Sequence, residues 1–274
     1  MKVILSRKGF DSANGGIASP ILENGTMLSF PIPLPETNTF SELEYKGISY
    51  AQFLHDLNYR EDKFGTHCHI DPDLELSRWK QKPTGWFPAF GQIGAAASYL
   101  NHIGVEPGDV FLFFGNFHHV AKKSDGTYGY VRHTGDFYKD NDLQMIWGYL
   151  QIGETLSTPE QQKSAWWHPH SIPRRTSDRT NVIYKASKQL SFAPALPGAG
   201  VLPFDQKRVL TLPGAGKATW NDNAVYEPAN LLGCTRKNSA KAQTGIYYAG
   251  IWQELGLKES AACEEWCKSV IFGS

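Results

Sequence analysis

The sequence predicts an α+β fold in which strands outnumber helices. Two long apolar runs, 110–114 and 143–156, are typical of buried strands. Segments rich in glycine and proline separate the apolar runs, as expected for turns in a sheet protein. Few segments have apolar residues at helical spacing, and no internal repeat or low-complexity linker divides the chain. We therefore expect residues 1–274 to form one strand-rich unit.

The amino-terminal third predicts a strand, a hairpin and a helix. The run Val3-Ile4-Leu5 is typical of a short buried strand. Residues 19–33 predict a hairpin, because Asn24-Gly25 lies between two apolar runs. Residues 49–57 predict a helix, because their apolar side chains recur every three or four positions.

The middle of the chain predicts a helix followed by the two longest strands. Residues 94–104 form the helix, with Gly104 at its carboxyl-terminal cap. The strand 110–114 follows a Pro-Gly turn, and 124–126 predict a second hairpin turn. Residues 143–156 complete this pair of long strands.

The last third mixes short strands with two helices. Thr158-Pro159 predicts the start of a helix, since proline suits the first helical position. Residues 181–187 and 208–212 predict strands, and residues 259–272 predict a final helix. Its predicted apolar face consists of Ala262, Trp266 and Val270.

Composition excludes several classes of protein. Of the 274 residues 41% are hydrophobic, and 27 basic residues balance 27 acidic ones. A protein that coats nucleic acid normally carries a basic excess, so any such contact here must be a local patch. Four scattered cysteines do not make a disulfide framework, and no signal-peptide pattern or membrane-length apolar run occurs. We expect a cytoplasmic protein with reduced thiols and no membrane partner.

A dense polar loop follows the first strand. It holds Arg7, Lys8, Asp11, Ser12 and Asn14 among glycines that tolerate unusual backbone angles. Arg7 and Lys8 can grip phosphate, and Asp11 can orient water or stabilise a cation. The alternative is a surface turn in which Asp11 and Asn14 bond their own backbone.

A second polar segment contains His67, Cys68, His69, Asp71 and Asp73. Imidazoles beside carboxylates can bind a metal or serve as an acid/base set. The simpler alternative is a turn or helix cap at the aspartates and a small core residue at Cys68. No Cys-x-x-Cys pair or His-Glu-x-x-His helix supports zinc, and we expect neither a metal nor a soluble cofactor.

Three further groups are candidates for base or phosphate contacts. Strict alternation along a strand places Trp147, Tyr149 and Gln151 on one face. There the aromatic ring can stack on a base and the amide of Gln151 can read the base edge. The alternative is that Gln151 is buried and hydrogen-bonded within the protein. The segment Trp166-Trp167-His168-Pro169-His170 holds two histidines in a stiff turn, with core packing as the alternative reading of its tryptophans. A local phosphate patch, or a solvated loop, is predicted from Arg174, Arg175 and Arg179.

Seven blocks, in order, resemble one known family. They are SRKGFDSANGGIASPIL, CHIDPDL, FGQIGAAASYL, GDVFLFFGNF, WGYLQIGE, WWHPH and LTLPG. Together they resemble the third group of nucleotide-modification-associated domains of bacteria and phages. The resemblance implies a role in systems that make, sense or attack modified DNA bases. The segment PGDVFLFFGNF with IWGYLQIGE is also similar to PUA-like domains, including the EVE and ASCH groups, which implies a β-barrel core that holds a modified base.

These observations favour a DNA glycosylase that removes a modified base, such as glucosylated hydroxymethylcytosine, from phage DNA in antiviral defence. The alternative is a non-catalytic reader with a PUA-like pocket. A transferase is less favoured, since no nucleotide-sugar or methyl-donor motif occurs. The predicted catalytic residues are Asp11, Asp71 and Lys8, with water or the lysine amine as nucleophile. The predicted substrate contacts are Arg7, Phe10, Asn14, His69, Asp73, Trp147, Gln151, His168 and His170. The mechanism requires the loop after the first strand and the segment 67–73 to converge on one cavity lined by flat rings.

Overall fold

The computed structural model of the protein describes residues 1–233, 245–248 and 253–273. Its described residues confirm the α+β class, with a large mixed sheet flanked by helices and irregular segments. No helix in these ranges has the length and apolar character needed to cross a membrane. Cys68, Cys263 and Cys267 are buried free thiols, whereas Cys234 lies outside the described residues.

The strands and helices below are those of the described residues. The strands are β1 Val3–Arg7, β2 Ser19–Ile21, β3 Glu44–Tyr45, β4 Ile48–Ser49, β5 Ala89–Gln92, β6 Val110–Lys122, β7 Tyr128–Tyr130, β8 Leu143–Leu156, β9 Val182–Ala186, β10 Gln189–Leu190, β11 Ala193–Pro197, β12 Ala199–Val201, β13 Thr219–Trp220, β14 Ile246–Tyr247 and β15 Glu254–Leu257. The α-helices are α1 Tyr50–Asp56, α2 Glu61–Phe64, α3 Gly94–His102, α4 Phe137–Asp140, α5 Pro159–Gln162, α6 Pro173–Thr176 and α7 Ala261–Phe272.

The main sheet is open, so the expectation of a β-barrel core is wrong. Its principal path runs β15-β1-β6-β8-β9-β5, and β2, β7 and β12 pair at its flanks. A barrel requires the two ends of such a path to pair with each other. Among the described strands, β15 pairs only with β1 and β5 only with β9. The path therefore stays open at both ends.

The core lies on both faces of this sheet. Val3 and Leu5 of β1 pack in one cluster with α7, whereas Ile4 packs in another with Leu100 of α3. The alternation of side chains along a strand explains this division. A third cluster gathers Phe10 and the residues of α1 beneath the loops.

Trp147 departs from the predicted alternation. The pairing of β6 with β8 shifts after Phe113, which lies opposite Gly148, while Phe114 lies opposite Ile146. Trp147 is therefore the extra residue of a β-bulge, and a bulge redirects its side chain. Trp147 packs with Phe113 and Phe117, whereas Tyr149 belongs to the cluster on the other face.

Other expectations also need correction. The segment 208–212 is not a strand, because the amides of Leu210 and Thr211 both donate to the carbonyl of Gln144 and only isolated bridges form. The Asn24-Gly25 turn forms, but the predicted hairpin does not become a pair of strands. β2 pairs with β6 instead, and the segment after the turn makes a single bridge, from Met27 to Ile21. Ala262 is exposed on α7, whose buried face consists of Cys263, Cys267, Val270 and Ile271.

The sheet carries the two predicted polar segments to one place. Strand β1 lies between β6, parallel to it, and β15, antiparallel to it. The loop after β1 therefore begins beside the start of β15, where Ser6 faces Glu254. Strand β5 runs alongside residues 71–73, since Asp73 and Ala89 exchange backbone hydrogen bonds.

Candidate functional site

A polar cavity of about 210 Å³ lies beyond the end of β1. Residues of the first polar loop line it together with His69 and Asp71 of the second polar segment. The two segments thus converge on one cavity, as the mechanism requires. The remaining expectation about the cavity is wrong, because its described lining contains imidazoles and no Trp, Tyr or Phe.

Lys8 lies at the inner wall of the cavity and is largely buried. Its ammonium is 3.5 Å from Glu254 Oε1 and 4.4 Å from the centre of the Phe90 ring. Glu254 also accepts hydrogen bonds from Ser6 Oγ at 2.9 Å and Gln92 Nε2 at 2.7 Å. Burial raises the pKa of Glu254 although Lys8 and these donors oppose the shift. Lys8 is therefore an anchored cation at the cavity wall.

Asp11 lines the cavity but is largely engaged in its own turn. Its Oδ1 accepts hydrogen bonds from the backbone amides of Ala13 and Asn14 and from the Asn14 side chain. Its Oδ2 is 3.6 Å from Arg7 Nη1. The arrangement is the backbone-bonded turn that the sequence left open as an alternative, placed at the rim of the cavity.

Asp71 is the buried carboxylate of the cavity. Its Oδ1 accepts a hydrogen bond from the Gly91 amide at 2.6 Å and is 3.2 Å from His168 Nε2. Burial raises its pKa, but the His168 ring and the charge of Lys8 outweigh burial and hold the pKa well below its usual range. Asp71 is therefore a fixed anion.

His170 approaches Asp71 from a 3-10 turn, Pro169–Ser171. Its Nδ1 is 2.7 Å from Asn181 Oδ1, and both hydrogens of the Asn181 amide are donated, one to Gln162 Oε1 and one to the His170 carbonyl. Burial lowers the pKa of His170 well below its ordinary value. The ring packs directly on Gly91, where a Cβ atom would overlap it.

His69 completes the group of rings. Its Nε2 is 3.8 Å from Asp71 Oδ2 and its Nδ1 is 3.6 Å from Glu36 Oε1. Burial lowers the pKa of His69 although Glu36 opposes the shift. Burial raises the pKa of Glu36, but His69 and Arg175 outweigh it and bring the pKa to about 2. His69, Asp71 and His170 each offer one ligand atom, all within 4.8 Å of one another.

The predicted phosphate patch is divided. Arg174 and Arg175 both donate to Glu36 Oε1, at 2.8 and 2.7 Å. Arg175 lines the cavity, Arg174 is 60% exposed, and Arg179 lines a separate pocket beside α3. A groove of about 600 Å³ lies on the other side of Glu36. It contains Lys80, Lys82, His168 and Trp166, whose side chain is 61% exposed.

Several predicted site residues lie outside the cavity. Asp73 is fully buried, where it accepts hydrogen bonds from Trp79 and Trp86 and pairs with Arg78 at 3.1 Å. Phe10 packs in the core below the loop. Asp73 and Phe10 therefore do not line the cavity.

The predicted pair on β8 is also remote from the cavity. Trp147 is buried at the bulge, and Gln151 Nε2 donates to the Gly108 carbonyl and to Ser191 Oγ.

His67 is exposed and contacts Thr66, while Cys68 is buried in the core. His168 lies behind Asp71 in the neighbouring groove.

Sequence reasoning missed Glu36, Gln92, Asn181 and Glu254. These residues are single polar side chains in ordinary surroundings of the sequence, and none forms a motif. The one available signal was Gln92 within FGQIG, a polar residue in a strand-like run. Their roles arise only from contacts between distant segments, such as the 162 positions that separate Gln92 from Glu254.

Comparison with known proteins gives one match. A family model described as nucleotide modification associated domain 3 matches residues 2–255. No curated protein and no solved structure gives a significant match. The matched residues include every residue that lines the polar cavity.

Proposed function

Because the chain belongs to the nucleotide modification associated domain 3 family, we propose that it hydrolyses the N-glycosidic bond of a modified base in DNA and leaves an abasic site. The observation that carries this proposal is Asp71, a fixed buried carboxylate that faces a cavity with imidazoles and an anchored lysine. The family association supports a role with modified nucleotides. The choice of glycosidic hydrolysis is our inference from the side chains.

The chemistry of the bond suits this cavity. As the bond between the sugar C1′ and the base nitrogen breaks, its electron pair leaves with the base and positive charge builds on the sugar. A carboxylate such as Asp71 stabilises that charge, as carboxylates do in sugar hydrolysis. The oxygen of a water molecule bonds to C1′, one of its protons passes to a neighbouring basic group, and the departing nitrogen takes up a proton. The products are the free base and the abasic sugar, which together contain the atoms of the substrate and of one water molecule.

The contacts of Lys8 favour water over the lysine amine as nucleophile. Lys8 Nζ is held 3.5 Å from Glu254 Oε1 and 4.4 Å from the centre of the Phe90 ring, so it is not free to reach a sugar carbon. We propose that Lys8 and Arg7 instead attract the phosphate beside the target base. Asp11 would hold the loop that presents them.

The reader hypothesis finds less support. It depended on Trp147 and Gln151 as a stacking and edge-reading pair, but Trp147 packs inside the core and the Gln151 amide donates to the Gly108 carbonyl. The cavity offers charged and ionisable groups in place of flat apolar rings. Its volume of about 210 Å³ is also below the range of about 300–1,000 Å³ that buries a drug-sized ligand. We therefore expect it to hold the reacting part of a nucleotide.

The neighbouring groove is the proposed path of the DNA strand. Trp166 presents an exposed indole for base stacking, and Lys80 and Lys82 supply positive charge in a groove that also contains Glu36 and Glu42. Arg174 pairs with Glu36 beside it. DNA of phages that modify their bases would be a natural substrate, which would give the protein a part in antiviral defence.

The proposal is tested on plain DNA and on DNA that carries hydroxymethylated or glucosylated cytosine. We expect free base and abasic sites from at least one modified DNA and none from plain DNA. Asp71→Asn should lower the rate by about 100-fold or more, as loss of one transition-state stabiliser does. Asp11→Ala should also lower the rate, because Asp11 holds the loop that presents Arg7 and Lys8. Asp125→Asn, in an exposed hairpin turn, is the control. Binding of modified DNA without release of base would refute the enzyme and favour the reader.

A further inference from the structure

We propose that His69, Asp71 and His170 form a binding site for one divalent transition-metal ion. All three side chains are buried, and their ligand atoms lie within 4.8 Å of one another. Two imidazole nitrogens and one carboxylate oxygen are the ligands that Zn²⁺, Fe²⁺ and similar ions take in catalytic sites. Three protein ligands leave coordination positions open on the side of the cavity.

The tautomer of His170 supports the proposal. The Asn181 amide donates both of its hydrogens, so Asn181 Oδ1 must accept one from His170 Nδ1. The neutral ring therefore has its proton on Nδ1 and a free lone pair on Nε2. Gln162 supports this orientation from both of its side-chain atoms. Its Oε1 accepts from the Asn181 side-chain amide, and its Nε2 donates to the main-chain carbonyl of Asn181 at 3.0 Å. Metal-ligating histidines are fixed by such partners on their second nitrogen.

His69 and Asp71 are held less tightly than His170. The Nδ1 of His69 lies 3.6 Å from Glu36 Oε1, too far for a hydrogen bond, and a proton on Nδ1 would point at that carboxylate and leave the lone pair on Nε2. The Gly91 amide occupies Asp71 Oδ1, and Oδ2 faces His69 Nε2 at 3.8 Å. Each of the three residues thus directs one free ligand atom toward the same point.

Electrostatics also favours a cation at this point. Two nitrogen lone pairs and a carboxylate oxygen that face each other in a buried site repel, and burial strengthens the repulsion. Lys8 contributes charge nearby but is anchored to Glu254. A divalent ion among the three atoms would convert the repulsion into coordination.

The separations require an adjustment of about 1 Å at the widest pair. Ligand atoms about 2.0–2.2 Å from a tetrahedral ion are about 3.3–3.6 Å apart. The distance of 3.8 Å between His69 Nε2 and Asp71 Oδ2 is close to that range, and the largest separation of 4.8 Å must shorten by about 1.2 Å to reach it. A bound ion would supply a water molecule of lowered pKa facing the cavity, and Asp71 would then act as its ligand in place of acting as a free carboxylate toward the sugar. That catalytic role rests on the proposed function, whereas the binding site does not.

The test uses the full chain, stripped with a chelator and then titrated with Co²⁺ and Zn²⁺. We expect one ion per chain by calorimetry, with a Co²⁺ absorption spectrum typical of nitrogen and oxygen ligands. His69→Ala and His170→Ala should weaken binding by 100-fold or more. Asn181→Ala, which frees the second nitrogen of His170, should weaken it by about 10–100-fold. His67→Ala is the matched control, an exposed histidine two positions from His69.

Absence of stoichiometric binding in the unchanged protein would overturn the proposal. So would equal affinity in the unchanged protein and in a folded His69→Ala or Asn181→Ala variant, with folding verified by circular dichroism. A thiolate-to-cobalt absorption band would also overturn it, because it would place the ion on a cysteine. Stoichiometric binding without release of base would support the metal site and refute the glycosylase, so the two proposals fail separately.

Discussion

Gly91 is the position where one added methyl group should disturb the cavity most. The amide of this residue donates to Asp71, and a Cβ atom would overlap the His170 ring and approach His168 Cε1 at 2.9 Å. The His170 ring is held from its other side by Asn181 at 2.7 Å, so it cannot simply withdraw. Gly91→Ala should therefore displace both histidines together.

Overpacking of this kind costs about 1–3 kcal/mol of unfolding free energy. At about 2–4 °C per kcal/mol for a chain of this size class, the melting temperature should fall by about 2–12 °C. A displacement of about 1 Å at the site should lower the turnover of modified DNA by about 100-fold. Calorimetry and the abasic-site assay measure the two effects on the same preparation.

Gly216→Ala is the matched control, because a Cβ atom there meets nothing within 4 Å and the backbone angle is not in the left-handed region. It should leave both quantities unchanged. If Gly91→Ala behaves like Gly216→Ala, the close packing of His170 on β5 is not a constraint. The argument that this packing positions the histidines would then be refuted.

Two further predictions concern Glu254 and Trp166. Burial raises the pKa of Glu254 above its ordinary 4.5, so the folded state binds this proton more tightly than the unfolded state. The proton therefore stabilises the folded state at low pH, and this stabilisation is lost as the pH rises through the folded-state pKa. The unfolding free energy of the unchanged protein, minus that of the Glu254→Gln variant, should therefore fall as the pH rises from about 4.5. Urea denaturation of both proteins across this pH range measures the difference. A difference that stays constant or rises would contradict the reasoning. Trp166→Ala should weaken binding of single-stranded DNA by about 1–3 kcal/mol, measured by fluorescence anisotropy, since each base stacked on an aromatic ring contributes that much. Trp166→Ala also removes the hydrogen bond from the indole to the Thr84 carbonyl, so its unfolding free energy should fall by about 0.5–1.5 kcal/mol while the protein stays folded. Phe272→Ala, which removes an exposed aromatic on α7, should bind DNA normally.

Much of the site was predictable at the level of residue type. The polar loop at Arg7, Lys8 and Asp11 interrupts an apolar pattern, and the dense His and Asp content of 67–73 does the same. Burial of an unpaired polar side chain costs free energy. The polar side chains of both segments were therefore expected either to pair with other polar groups or to face solvent. Which aspartate faces the cavity was not predictable, because Asp71 and Asp73 are two positions apart and Asp73 bonds two tryptophans instead.

Local sequence patterns were enough to predict the strands β6 and β8, the helices α1, α3 and α7, and the polar character of the two converging segments. Local spacing of apolar and polar side chains encodes these features, since a strand or helix buries one face wherever it lies. The folded chain was needed to show that Glu254 pairs with Lys8, that Asn181 orients His170, and that the bulge turns Trp147 into the core. These contacts join residues far apart in the chain, and they depend on strand pairing and close packing that no local pattern specifies.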